Sequence, residues 1–443
     1  MVGTGAQAAQ EGMAGFAVKL LLKLMAANLA FNIFARLLGC EPAFTSFLFD
    51  PAGLFDDYYK FILSFPGGAG VVPSDLFGLH DRIAAAIATT PYHGVDGLGG
   101  AGITHFLAPP LTAVICLANL AAMHIVDPAA LFVGIIALML VCWCSIAARL
   151  GTTRYESIAW AAIGLASYPM LMMLSRGNIY AGLAALLICQ SMSLALRGKA
   201  PVVAAICLAV ALNIRPNAAP FAVPLLLLFQ TGRWRALAVL AVATALIFAL
   251  SLAVAHALYP DYTIGTFLRG LHNYRTRYIV DNWGLAYGSS LMGAVQFFAG
   301  YRPGVEAAAA VPAALVMLAA VVLFLRRRIS AALLLFLTCS AYCLGSSVIA
   351  DYHLLVFVLV PAAVARQTAL EGRRPDTAEW IACAAACLLL GPKNYLFLHG
   401  FSWQVVLNPA IMLGASLAVI ALRAGWISAS APGAGYWRAA RAA

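Results

Sequence analysis

The stretch LFDDYYKFILSF (54–65) sets two adjacent carboxylates, Asp56 and Asp57, into a chain in which only 17 of 443 residues are acidic. A carboxylate placed there has the chemistry of a general base for a hydroxyl nucleophile, and neighbouring carboxylates raise each other's pKa toward neutrality. On that reading Asp56 and Asp57 are candidate catalytic residues and Tyr59 a candidate substrate contact. The alternative is a solvated loop whose tyrosines anchor it at a membrane interface, where Tyr is enriched. From the residues alone both readings stand.

A second group of candidates is cationic: Arg176 in LSRGNIY, Arg215 in NIRPNAAP, Arg269, Arg275 and Arg277 in FLRGLHNYRTRY, and Lys393 in GPKNY. Guanidinium is the natural bidentate ligand of phosphate, so convergence of a few of these would make a phosphate site; interfacial snorkelling is the plain alternative. Arg215, between two short apolar runs, is the best placed. SSVIADYHLLVFVLVP (346–361) sets Asp351 and His353 at a helix mouth, where His353 has the chemistry to bind phosphate or a sugar hydroxyl, or to tune a carboxylate. His80, His93 and His105 match no zinc spacing. Nine of the ten cysteines lie in apolar runs and read as buried hydrophobes. Neither a metal site nor a disulfide framework is predicted.

The elements that must position these residues are membrane spans. Hydrophobic residues make up 63% of the chain and charged residues 10%, against about half and a quarter in soluble domains. The predicted fold is an all-α polytopic transmembrane bundle of about 11–13 spans, with apolar runs near 16–38, 106–124, 129–148, 155–175, 178–196, 200–212, 217–229, 235–258, 306–325, 331–349, 353–370, 378–391 and 405–423. Residues 1–443 read as one integral membrane domain. The net charge of +10 reflects cytoplasmic Lys and Arg, not nucleic-acid binding: RGK (197–199), RWR (233–235), RRR (326–328), Arg373 with Arg374, and the tail all fall on one side. The other side, the periplasmic face of a bacterial-type cytoplasmic membrane, then receives 39–105, a first outer loop with seven acids against Lys60 and Arg82, and 259–300, a second outer loop ending in an interfacial segment (286–300). Amphipathic surface helices are expected at 54–65 and 76–90, the latter from the stripe Leu76, Leu79, Ile83, Ile87. Thirteen full crossings would leave the arginine-bearing C-terminus outside, so one segment between 106 and 175 is expected to be re-entrant or incomplete. The large outer loops, short inner connections and lack of an inverted repeat suit a machine working on one face better than an alternating-access transporter.

With these residues in place the chain resembles the GT-C glycosyltransferases, and within them the family of the mycobacterial polyprenyl-phosphate-mannose-dependent α-1,2-mannosyltransferase of phosphatidylinositol mannoside synthesis. Four stretches carry the resemblance: FDDYYKF, FLAPPLTAV (106–114), RGNIYAGL with the later LNIRPNAAPF, and ADYHLLVFVLVP. Together they span most of residues 50–361. The resemblance implies transfer of mannose or another sugar, with inversion, from a polyprenyl-phosphate carrier to a lipid or glycan hydroxyl on the outer face. It implies a catalytic acid at Asp56 or Asp57, and donor contacts from Gly177–Asn178, Arg215–Pro216 and His353, with Arg176, Arg275 and Arg277 nearby. The implied partners are the donor, the acceptor and membrane lipids. No certain cofactor is implied; the second aspartate could hold a divalent cation, Mg or Mn, against the phosphate. The rival classes are a lipid or solute transporter, which predicts mid-span charges and a repeat, and an O-antigen-ligase-like transferase, which the arginine-rich loop 259–285 keeps open.

Overall fold

The computed structural model describes Lys23, Ala26, Ala30 and residues 109–426, apart from His124, 281–287, Val348, 392–396, 399–400 and Trp403. Asp56, Asp57 and Tyr59, the loop 39–105 and the surface helices expected at 54–65 and 76–90 lie outside the described residues.

Apolar runs become helices here because lipid offers the backbone no hydrogen-bond partners, so each segment must satisfy its own N–H and C=O groups. Among the described residues, six helices are long and apolar enough to cross a membrane; a bent pair makes a further candidate, and five helices are apolar but shorter. In chain order they are α1 (Pro110–Met123), α2 (Pro128–Leu150), α3 (Arg154–Ala166), α4 (Tyr168–Arg176), α5 (Ile179–Leu196) and α6 (Pro201–Ile214). A 3-10 turn (Pro216–Phe221) leads into α7 (Ala222–Leu228), followed by α8 (Arg233–Leu258), α9 (Ile264–Tyr274), α10 (Leu291–Ala299), α11 (Val305–Leu325) and α12 (Ala331–Gly345). A second 3-10 stretch (Asp351–Val358) runs into α13 (Leu359–Glu371), then α14 (Thr377–Leu390) and α15 (Gln404–Ala424). The segment expected to be interfacial at 286–300 contains the nine-residue α10, about 13 Å long and too short to span.

Local chemistry sets the breaks. The Asp127 side chain accepts from Ala130 N at 3.0 Å and Pro128 opens α2, a proline at the position where its missing N–H is harmless. The run read as one span at 155–175 is bent by 61° between α3 and α4, with Ser167 as the shared extended residue and a proline in the first turn of α4. Gly177, at φ 64°, closes α4 in the left-handed region that glycine tolerates.

The bundle is layered. Of the α5 window and of the 351–371 window 78% is buried, against 11% for α8. α12 is buried from Ala332 to Leu344. Val242, Leu246 and Leu250 of α8, Val311, Leu315 and Leu318 of α11, and Val133, Leu138 and Val141 of α2 point outward. An exposed apolar shell of this extent faces lipid.

Successive helices return the chain to two ends. RGK (197–199), the start of α8 at Arg233, Arg326–Arg328, the 371–376 connection and Arg423 share the basic end. Asn178, Arg215, the segment after Leu258, and Ser346–Asp351 share the other, here called the site end. α1 ends at the site end, at Met123, just before α2 starts there. Its 14 residues make about 21 Å of helix, short of a hydrocarbon core of about 30 Å. Two segments between 106 and 175 therefore depart from a straight full-length span: the short α1 and the bent α3–α4 pair. The protein is an integral membrane protein.

Candidate active site

Helix α6 stops because of Pro216. A residue before proline is driven out of the helical region, and Arg215 accordingly has φ −140° and ψ 91° while its N–H still donates to Ala211 O at 2.7 Å. Its side chain therefore leaves the helix at the site end. Among the described residues the Arg215 guanidinium has no hydrogen-bond partner, and its Nε is shielded from solvent. It acts electrostatically on two neighbours, Tyr342 of α12 and His353.

His353 and Tyr342 form a unit. Tyr342 Oη and His353 Nδ1 are 2.8 Å apart. Phe221, from the turn after Arg215, meets the Tyr342 ring edge-on at 5.3 Å between centroids, and Tyr352 flanks His353 at 5.0 Å. His353 is 3% exposed. The structure thus brings together Arg215 and His353, 138 residues apart in sequence.

Asn178 is placed close by but is committed. Its Oδ1 accepts from Ala181 N at 3.0 Å, capping α5, and its Nδ2 donates to Tyr352 Oη at 3.0 Å. Its amide fixes the position of Tyr352, and through it the segment that carries His353. Arg275 goes elsewhere: its Nη2 donates to Glu306 at 2.7 Å and to Tyr301 Oη at 3.1 Å, and Nε donates to Glu306 at 3.0 Å. The Glu306 carboxylate holds the Arg275 pKa above its ordinary value. Arg269 is exposed on α9. The side chains of Arg176 and Arg277, and Lys393, lie outside the described residues.

Beneath His353 lies a polar cluster built on Asp351, which is fully buried. Tyr168 Oη donates to Asp351 Oδ2 at 3.0 Å. Ser289 Oγ donates to Asp351 Oδ1, and Asn408 Nδ2 donates to the same oxygen at 3.3 Å and to Ser289 Oγ at 2.8 Å. A backbone bond from Ser289 N to Ile349 O at 2.8 Å holds the two strands of chain together. Three donors from three elements satisfy a carboxylate that burial would otherwise make costly. Of these groups the sequence singled out only Asp351; the signal for Tyr168 and Asn408 was polarity inside apolar helices, where polar groups mark function or interhelical bonding, and Ser289, in the connection before α10, carried none.

Asn217 completes the turn. Its Nδ2 donates to Ser346 Oγ at 3.2 Å, and Ser346 Oγ donates to Tyr342 O at 2.7 Å. Its Oδ1 is shielded from solvent and has no partner among the described residues.

A cation without an anion, beside a histidine and a tyrosine, at the end of a bundle of apolar helices, is a site suited to an anionic group presented from a membrane. No curated protein matches the chain. A family model described as glycosyltransferase family 87 matches residues 106–350, over half of the chain. The match contains Asn178, Arg215, Asn217 and Tyr342, begins after the Asp56–Asp57 pair and ends one residue before Asp351. The chain therefore belongs to glycosyltransferase family 87, a GT-C-type family that includes mycobacterial mannosyltransferases.

Proposed function

We propose that the protein moves a sugar, mannose or a related hexose or pentose, from a polyprenyl-phosphate carrier to a hydroxyl of a lipid or glycan. The reaction takes place on the outer face of the cytoplasmic membrane, opposite the basic end. The observation that carries this reading is the unpartnered guanidinium of Arg215 beside His353 and Tyr342. A lone cation costs the fold desolvation energy, which a bound phosphate returns through charge-assisted hydrogen bonds.

In this account a carboxylate of the Asp56–Asp57 pair takes the proton of the acceptor hydroxyl. The acceptor oxygen attacks the anomeric carbon, the bond from that carbon to the phosphate oxygen breaks, and the lipid phosphate leaves as an anion held by Arg215. Single displacement inverts the anomeric centre. The leaving phosphate needs little acid assistance, so one carboxylate near the attacked carbon is enough. A divalent cation, if used, would rest on the second aspartate; among the described residues no three His, Cys, Asp or Glu side chains gather.

The experiment is transfer by purified protein in lipid nanodiscs, offered polyprenyl-phosphate sugars and nucleotide sugars in parallel, with products identified by mass spectrometry. Consumption of a polyprenyl-phosphate sugar, releasing polyprenyl phosphate, is expected. Transfer from nucleotide sugars alone would sink the proposal.

A further inference from the structure

The Arg215–Pro216–Asn217 turn offers more than a cation. Ser346 Oγ has one hydrogen, and it goes to Tyr342 O at 2.7 Å. Toward Asn217, therefore, Ser346 is an acceptor only, and the Asn217 amide must face it with its NH2 group, as it does at 3.2 Å. That fixes the amide: Oδ1 is turned away from Ser346 and cannot exchange places with Nδ2 without setting two acceptors against each other. The fixed Oδ1 is an acceptor with no partner among the described residues, on the same turn as an Arg215 guanidinium with none. An unmatched buried acceptor destabilises the fold, so its retention calls for an occupant that donates a hydrogen bond.

The two unmet groups are complementary in kind. Arg215 asks for an anionic oxygen and Asn217 for a hydroxyl, from a molecule small enough to touch both across one proline. A sugar phosphate carries both, and the hydroxyl nearest its phosphate is on the carbon next to the anomeric one. We infer that Asn217 accepts a hydrogen bond from the donor's 2-hydroxyl, so that the Arg-Pro-Asn turn reads the phosphate and the adjoining sugar position together. The inference rests on the assignment of Arg215 to the donor phosphate. It makes the substrate class narrower: sugars with a free 2-hydroxyl are accepted, and 2-deoxy or 2-acetamido sugars are disfavoured.

Binding of three probes separates the inference from the reading beneath it: polyprenyl-phosphate mannose, its 2-deoxy counterpart, and polyprenyl phosphate without sugar. Each is titrated against wild-type protein, Asn217→Ala and Arg215→Ala in nanodiscs. The wild type is expected to prefer the mannose probe over the deoxy probe by about 3- to 10-fold, the yield of one hydrogen bond. Asn217→Ala should bind those two equally and bind bare polyprenyl phosphate as the wild type does, while Arg215→Ala should lose affinity for all three. Should the wild type bind both sugars alike, or Asn217→Ala keep the discrimination, the 2-hydroxyl assignment is overturned while the phosphate site stands. Should Arg215→Ala bind bare polyprenyl phosphate undiminished, or the wild type bind none of the probes, the donor-phosphate reading itself is overturned. The deoxy probe acts on unmodified protein, so the comparison does not depend on a variant that folds.

Discussion

Two helix connections of this bundle each hold a partly buried arginine, and they treat it in opposite ways. In the connection from α13 to α14, Arg373 donates through both Nη atoms to Glu379, at 2.6 and 2.8 Å, and through Nε to Glu371. Asp376 caps α14 there, accepting from Ala378 N and Glu379 N, and takes a salt bridge from Arg423 of α15. In the turn after α6, the Arg215 guanidinium has no hydrogen-bond partner among the described residues, and a nearby acceptor, Asn217 Oδ1, is left open as well. The first arrangement is a finished structural joint. The second keeps a charge unmatched inside the fold, at a cost in stability that natural proteins accept where function needs the group free. The lesson is that an arginine's partners, not its exposure, tell a joint from a site.

The largest effect tests the chemistry that Arg215 is meant to serve. Asp56→Asn and Asp57→Asn, made singly, are expected to slow turnover by about 10²–10⁴-fold in one of the two variants, with donor affinity retained. Near-normal turnover in both would return the pair to a solvated loop and leave the Arg215 turn without a reaction.

Next, Arg373→Met breaks the joint. Glu379 has a fully buried side chain, and removing the partner of a buried ion pair costs about 3–5 kcal/mol. Thermal unfolding in nanodiscs should therefore fall clearly, while kcat per folded molecule and donor affinity stay as they were. A selective loss of donor affinity without loss of stability would erase the contrast between the two connections.

A smaller effect is expected for Asp351→Asn. The new amide cannot accept from Tyr168, Ser289 and Asn408 at once, which should destabilise by about 1–3 kcal/mol and raise the donor KM more than it lowers kcat, because His353 shifts. An unchanged KM would separate the Asp351 cluster from the site. Tyr342→Phe, which removes only the hydroxyl paired with His353, should change donor affinity least, by about 2- to 10-fold, as read by titration with polyprenyl phosphate.

Much of this was legible in the sequence because its causes are local. Pro216 alone predicts that α6 ends and that Arg215 departs from it; hydropathy places the spans, and the arginine clusters divide the two ends. Parity of crossings predicts one incomplete segment between 106 and 175, and the structure has two departures from a straight span there, the short α1 and the bent α3–α4 pair. The 61° bend at Ser167 was hidden inside one continuous apolar run. The Asp351 cluster was illegible for a different reason: its bonds join residues 183, 62 and 57 positions apart, and no sequence spacing encodes which polar groups meet across a bundle. Asn178 shows the opposite hazard. It lies in a motif implied to touch the donor, yet its amide is occupied by Ala181 N and Tyr352 Oη.

The central claim is that Arg215 is held unpaired for the donor phosphate, and the most direct measurement pairs affinity with stability in a single variant. Arg215→Ala should weaken binding of polyprenyl phosphate by about 30- to 5,000-fold, the range for removing one partner of a desolvated charge pair, while the melting temperature of the unliganded protein stays level or rises. A lowered melting temperature together with undiminished affinity would contradict the account, and would make Arg215 a joint of the same kind as Arg373.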